Sequence, residues 1–344
     1  MTSLERFLAT IDNRPVDRPA SWLGIPADSA LPGLYEYFGV DDMVGLKAAV
    51  ADDVWPVDVP YDHPPLNHVA CAFDFAKEDC NVSVEERTLT TPGWFEDMTD
   101  PARVEDFPWP DPADHIDPAA CRRAAESVPE GYVKLGVLWA AHFQDACAAF
   151  GMTGALMTML TEPEMFRAVI DRIVEFYLKA GKIFYEATDG LLDAVLIGND
   201  FGSQTGLMVG PEQLRQHVFP GTKRIIDQAK SYGLRVVHHS CGAVRDVIPD
   251  LIEQGADCIH PIQALAAGMD PQSLKDEFGG KTSFCGGVDA QNLLVNGTPE
   301  EVREKVRELK RIFPTGLIVS PSHEAILPDI SPANVEALFA AVKE

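Results

Sequence analysis

Apolar and polar positions fall into a repeating rhythm along the second half of the chain. Asp193-Ala-Val-Leu-Ile-Gly198 is a short apolar run of the kind that forms a buried strand. Pro211 then opens a helix carrying Leu214, Val218, Ile225, Ile226 and Ala229, with a kink expected at Pro220. Leu234-Arg-Val-Val-His-His239 reads as the next strand. Val244, Val247, Ile248, Leu251 and Ile252 follow at helical spacing up to Gly255, which can stop that helix. Cys258-Ile-His-Pro-Ile262 is a third strand, and Asp270-Pro271 caps and opens the helix after it. Thr282-Ser-Phe-Cys285 is a fourth. Thr298-Pro-Glu-Glu301 is a capping box ahead of Val302, Val306, Leu309 and Phe313. Gly316-Leu-Ile-Val-Ser320 and a helix opened by Ser331-Pro332 complete five strand–helix units.

Strands that alternate with amphipathic helices pair in parallel beneath those helices. Either a doubly wound sheet or a closed (β/α)8 TIM-type barrel would satisfy the pattern. The barrel needs three more strands, and residues 19–23, a stretch within 54–75, and 132–138 are the candidates. Residues 52–117, rich in proline and aspartate, read as an irregular insertion in the N-terminal half, with a hairpin around 82–91. The expectation is one α/β barrel domain over residues 1–344 with loop insertion at roughly 52–117.

In parallel architectures ligands bind beyond the carboxyl ends of the strands. Reactive groups end five of the expected strands: Asp200, His239 with Cys241, His260, Cys285, and His323 with Glu324. A barrel gathers such ends around one mouth, whereas an open sheet spreads them along a line. Residues two apart on an extended segment point the same way, so His239 and Cys241 can face one point as a zinc-type imidazole–thiolate pair. Cys285 is the natural third donor. Asp200, His323 or Glu324 could be a fourth, or that position could stay open for substrate. The other reading of these residues is a buried cysteine beside a backbone-bonded histidine. His142, Gln144, Asp145, Gln204, Trp22, Trp139 and Phe201 also lie near strand ends, and Trp22, Gln204, His142 and Glu324 are candidates to line a substrate. Gly280-Lys-Thr282 lacks the earlier glycine of a phosphate loop, and no G-x-G-x-x-G follows a strand. Leu327 stands where a second metalloprotease histidine would follow His323-Glu324.

Composition narrows the partners. In 344 residues, 28 Lys and Arg face 53 Asp and Glu, a formal net charge of −25. Such a field repels phosphate backbones and anionic lipid surfaces, so neither nucleic acid nor a membrane is an expected partner. The start of the sequence lacks a basic-then-apolar export signal, which together with seven scattered cysteines points to a cytoplasmic protein with reduced thiols.

The order Asp200-Phe-Gly202, His239-Ser-Cys-Gly242, Gly286-Gly-Val-Asp289, Gly297-Thr-Pro-Glu-Glu301 and Ser320-Pro-Ser-His323 through Pro332-Ala-Asn334, with Arg18-Pro-Ala-Ser-Trp22 before it, resembles the uroporphyrinogen decarboxylase superfamily. That resemblance implies a (β/α)8 barrel. One branch decarboxylates a porphyrinogen without metal and relies on N-terminal arginines; the stretch after Arg18-Pro19 here lacks the further arginine-rich segment of that branch. The other holds zinc methyltransferases that work with methylcobalamin on a partner corrinoid protein, with a His-x-Cys motif and a later cysteine. His239 and Cys241 match its first two positions, while Ser322 and His323 stand near the third. The resemblance therefore implies zinc on His239, Cys241 and Cys285, with Asp200 and His323 as catalytic residues and a small thiol-like methyl acceptor or donor. The alternatives are a metal-independent decarboxylase-like enzyme using Asp200 and His323, and a non-catalytic barrel that binds a small molecule or corrinoid.

Overall fold

The computed structural model describes residues 1–62, 73–77, 83 and 86–344. Among the described residues seven parallel strands form one sheet in sequence order: β1 (Val54–Asp58), β2 (Val133–Trp139), β3 (Ala194–Gly198), β4 (Arg235–His239), β5 (Cys258–Ile262), β6 (Ser283–Val288) and β7 (Leu317–Pro321). All five strand–helix units expected in the second half are present. The capping box at Thr298 and Glu301 forms, and the Asp270 carboxylate accepts the Ser273 N–H at 2.9 Å. Around Pro220 the helix does not simply kink. Proline has no N–H to donate, and the turn before it, Leu214–Val218, widens into a π-helical turn.

Of the three strands sought in the first half, β1 and β2 are regular. The third, at residues 19–23, is reduced to a single bridge between Ser21 and Val319. The backbone there still reaches both edges of the sheet. Trp22 N–H donates to Val319 O and Val319 N–H to Ala20 O, at 3.0 and 2.8 Å, while Asp53 N–H donates to Ser21 O at 3.1 Å. The expected eighth strand is therefore an irregular segment wedged between β7 and β1. Pro19 cannot donate to a ladder, which keeps the pairing short. β1 lies inside the region read as insertion. The expected hairpin falls largely outside the described residues, and its described end is a turn in which Thr91 N–H reaches Thr88 O.

Alternation along the strands separates two cores. Val54, Leu135, Val137, Leu196, Val237, Cys258, Cys285 and Ile318 pack with one another inside the curl of the sheet. Their neighbours, such as Val57, Val195, Val236, Ile259 and Phe284, face the surrounding helices. The N-terminal helix Ser3–Ile11 adds Phe7 and Ile11 to the inner cluster. Just beyond it, Asn13 donates to Thr282 O beside the start of β6, and Asp12 pairs with Arg235 at the start of β4. This helix therefore stoppers the amino ends of the strands and leaves the carboxyl ends open. Among the described residues no helix is long and apolar enough to cross a membrane.

Candidate metal and substrate site

At the open end, the last inward residue of β4 is His239. Its neighbour across the pairing with β5 is His260, and the two Nδ1 atoms lie 2.9 Å apart. Two residues past β4, Cys241 brings Sγ to 3.4 Å from His239 Nε2. Two residues past β3, Asp200 brings Oδ1 to 3.2 Å from the same nitrogen and also accepts the Cys241 N–H at 2.8 Å. From the loop after β7, Glu324 Oε2 comes within 3.4 Å of His239 Nδ1. One imidazole thus has thiol and carboxylate donors on one edge, with a second imidazole and a second carboxylate on the other.

Glycines make this crowding possible. A Cβ at Gly198 would lie 2.5 Å from the His239 Cβ, so only glycine lets β3 pass beneath that ring. Gly242, at φ +85°, presses its loop against the loop after β3, where a Cβ would sit 2.5 Å from the Gly202 carbonyl carbon. The glycine in His-Ser-Cys-Gly is therefore what brings Cys241 up to Asp200. Ser240 and Gln263 fasten the same contact: Ser240 Oγ accepts the Phe201 N–H at 3.0 Å, and Gln263 Oε1 accepts the Gly242 N–H at 2.8 Å.

The charges reinforce the geometry. Burial works against the charged form of His239, but Glu324, Cys241 and Asp200 outweigh it and hold its pKa well above the ordinary histidine value. Burial would raise the Asp200 carboxyl, yet the bond to His239 and that ring's charge bring it down to about 2. His260 is driven well below its usual value by burial and by the charge on His239, so it is the neutral ring and accepts at Nδ1. Burial also opposes charge on His323, where Cys241 and Glu324 prevail and raise it. The cluster is thus an acidic pocket that favours positive charge at both His239 and His323.

Those donors suit a metal ion. A tetrahedral zinc bonded at about 2.0–2.3 Å to N, O and S would space its ligands about 3.3–3.6 Å apart. The His239–Asp200 and His239–Cys241 separations of 3.2 and 3.4 Å lie close to that range. Among the described residues two groups bring three donor atoms within 4.8 Å of one another: Asp200, His239 and Cys241; and His239, His260 and Glu324. Only the first contains the soft sulfur that favours zinc.

Cys285 belongs to neither group, which corrects its expected place as third ligand. The strand read as ending at Cys285 continues through Val288, with Gly286 opposite Val319 and Gly287 opposite Ser320. Cys285 is therefore mid-strand, 1% exposed, within the inner apolar cluster. Burial and the nearby Cys258 push its thiol well above the usual value, the opposite of what a metal thiolate needs.

The other expected residues separate clearly. A cavity of about 330 Å³ opens beside His239, with Trp139, Gln144, Asp200, His323 and Glu324 in its wall. His142 is not in that wall. The chain turns sharply at Trp139 and Ala140, and His142 points into the helix layer, with Nδ1 3.0 Å from Ala140 O and Nε2 3.2 Å from Thr222 Oγ1. Gln204 reaches Gln263 at 3.3 Å and stays outside the wall. Trp22 is buried and packs on His260, with ring centroids 5.1 Å apart, so it braces the cluster from within. His238 faces the opposite way, stacked on Phe201, and burial with the adjacent His239 charge lowers it to about 3.

The sequence reading missed Asp58. It ends β1 on the same face as Val54; its side chain reaches the surface, yet desolvation by its surroundings pushes the carboxyl up. A strand was expected only somewhere within 54–75, without the bounds that put Asp58 at its end.

Comparison with known proteins agrees with this architecture. A family profile described as uroporphyrinogen decarboxylase (URO-D) matches residues 69–344. A methylated-thiol–coenzyme M methyltransferase of Methanosarcina mazei is 25% identical over 258 residues, covering 72% of this chain and 67% of that protein. A uroporphyrinogen decarboxylase of Danio rerio is 29% identical over 156 residues, which is 41% of this chain and 38% of the relative. The solved structure of a methyltransferase from Methanosarcina mazei shares the fold, with a TM-score of 0.69 over 99% of this chain and 98% of that one, at 17% identity. The chain belongs to the uroporphyrinogen decarboxylase family.

Proposed function

We propose that this protein is a zinc-dependent methyltransferase that moves a methyl group between a corrinoid carried on a partner protein and a small thiol, and that it does so as one barrel domain in the cytoplasm. Its zinc donors are Asp200, His239 and Cys241. The observation that supports this most strongly is the meeting of one carboxylate, one imidazole and one thiol at 3.2 and 3.4 Å. The methylated-thiol–coenzyme M methyltransferase to which the chain is similar supports the substrate class.

When bound, zinc supplies an open position that holds a substrate sulfur and favours its thiolate, the nucleophile for a cobalt-bound methyl. The chain's own residues prepare that position. His260 and Glu324 face Nδ1 of His239 and orient the ring so that Nε2 points at Asp200 and Cys241. Trp139 stands edge-on to His239, with centroids 5.3 Å apart, and shields the imidazole from bulk water. Ala325 N–H donates to His323 Nδ1 at 3.0 Å, which fixes that ring at the cavity wall beside the substrate.

Methylcobalamin in solution can stand in for the partner's corrinoid. With small thiols as acceptors, the zinc-loaded protein is expected to demethylate it, to stop after chelation and to recover on zinc addition. Absence of transfer from zinc-loaded protein across a thiol panel, with carbon dioxide released from a carboxylated substrate in a His323-dependent way, would replace this reading with the decarboxylase-like one.

A further inference from the structure

Beside the metal-type cluster lies a second, smaller cavity of different chemistry. Its volume is about 160 Å³, and Val59, Tyr61, Ile116, Phe176 and Ala180 line it. Among the described residues Asp58 is the single charged group in its wall. An apolar cavity of roughly this size has room for a benzene-sized guest.

Trp139 is common to the walls of both cavities. Its position is enforced by unusual backbone. Trp139 and Ala140 both have φ of 58°, a left-handed conformation that side chains with a Cβ disfavour. The β2–β3 register also shifts between Val137 and Trp139. Disfavoured backbone at successive residues persists where the surrounding structure imposes it, and such sites cluster around ligands. Here it turns an indole into the partition between a polar cavity and an apolar one.

We propose that the smaller cavity is a hydrocarbon subsite, taking an alkyl or aryl group of about four to six carbons on a thiol or methyl thioether whose sulfur lies at Asp200, His239 and Cys241. Trp139 sets which chains pass from one cavity to the other. The sulfur-bearing head rests on the methyl-transfer reading above; the subsite for its tail rests on the second cavity.

Binding without turnover tests this directly. Calorimetry on the zinc-loaded protein compares dimethyl sulfide with butyl methyl sulfide. Each methylene buried in the chamber tightens binding about fourfold, so the butyl compound is expected to bind at least about tenfold more tightly. Ala180→Leu fills the chamber and should bring that ratio close to one. Phe176→Ala enlarges it and should shift the preference toward hexyl methyl sulfide, which decides the matter if Ala180→Leu does not fold. Equal affinities for the two sulfides, or a ratio unchanged in a folded Ala180→Leu protein, would overturn the subsite. Loss of methyl transfer with the chain-length preference intact would remove the methyl-transfer reading and leave the subsite standing.

Discussion

Asp53→Ala is expected to lower the stability of the protein by about 3–5 kcal/mol, the cost of breaking a buried ion pair by removing one partner. Asp53 is buried where the irregular eighth segment meets β1. Its Oδ1 accepts from Arg6 Nη1 at 2.7 Å and Arg18 Nη2 at 3.0 Å, and its Oδ2 accepts from Arg18 Nη1 at 2.8 Å and Ser21 N–H at 2.9 Å. Truncation would strand Arg18, whose remaining partners are backbone carbonyls and a hydroxyl. Arg6 keeps Asp17 at 2.8 Å and would suffer less, which places the estimate nearer the lower end. The same carboxylate ties Ser21 in place, so the substitution also loosens the segment between β7 and β1. Urea unfolding followed by circular dichroism measures the loss. A midpoint unchanged from the parent would show that these residues do not hold the two edges of the sheet together.

Cys241→Ala is expected to leave the fold intact while weakening zinc binding by more than about 100-fold, the upper range for losing an outer partner of a metal ligand. The side chain is partly exposed and bridges no core elements. Its main-chain N–H, which holds Asp200, is unaffected by the change. Methyl transfer should fall with the zinc. Cys285→Ala and Cys258→Ala, both inside the sheet, should keep their zinc at the cost of some stability. Retention of zinc by Cys241→Ala and its loss from Cys285→Ala would reverse the assignment of the thiolate.

Much of this site could be read from the chain. The His-x-Cys spacing placed two donors on one side, and strand-end residues converged because parallel strands present their carboxyl ends together. What could not be read were features fixed by register. His260 meets His239 because β4 and β5 pair in that register, which no local pattern encodes. Cys285 was expected at a strand end because the strand-like run Thr282–Cys285 stops there, whereas the pairing with β7 continues through Gly286 and Gly287. His142 was a candidate for the mouth because it follows the strand ending near Leu138. The left-handed turn at Trp139 and Ala140 instead sends it into the helix layer. The eighth strand was sought as a regular element, and residues 20–22 fill its place with only a bridge.

X-ray absorption at the zinc edge, on protein purified without chelator, reads the donor set around the ion. About one zinc per chain is expected, with a single sulfur neighbour near ~2.3 Å and nitrogen or oxygen neighbours near ~2.0–2.1 Å, as Asp200, His239 and Cys241 would supply. Two sulfur neighbours from the protein's own cysteines, or no bound zinc at all, would contradict this assignment.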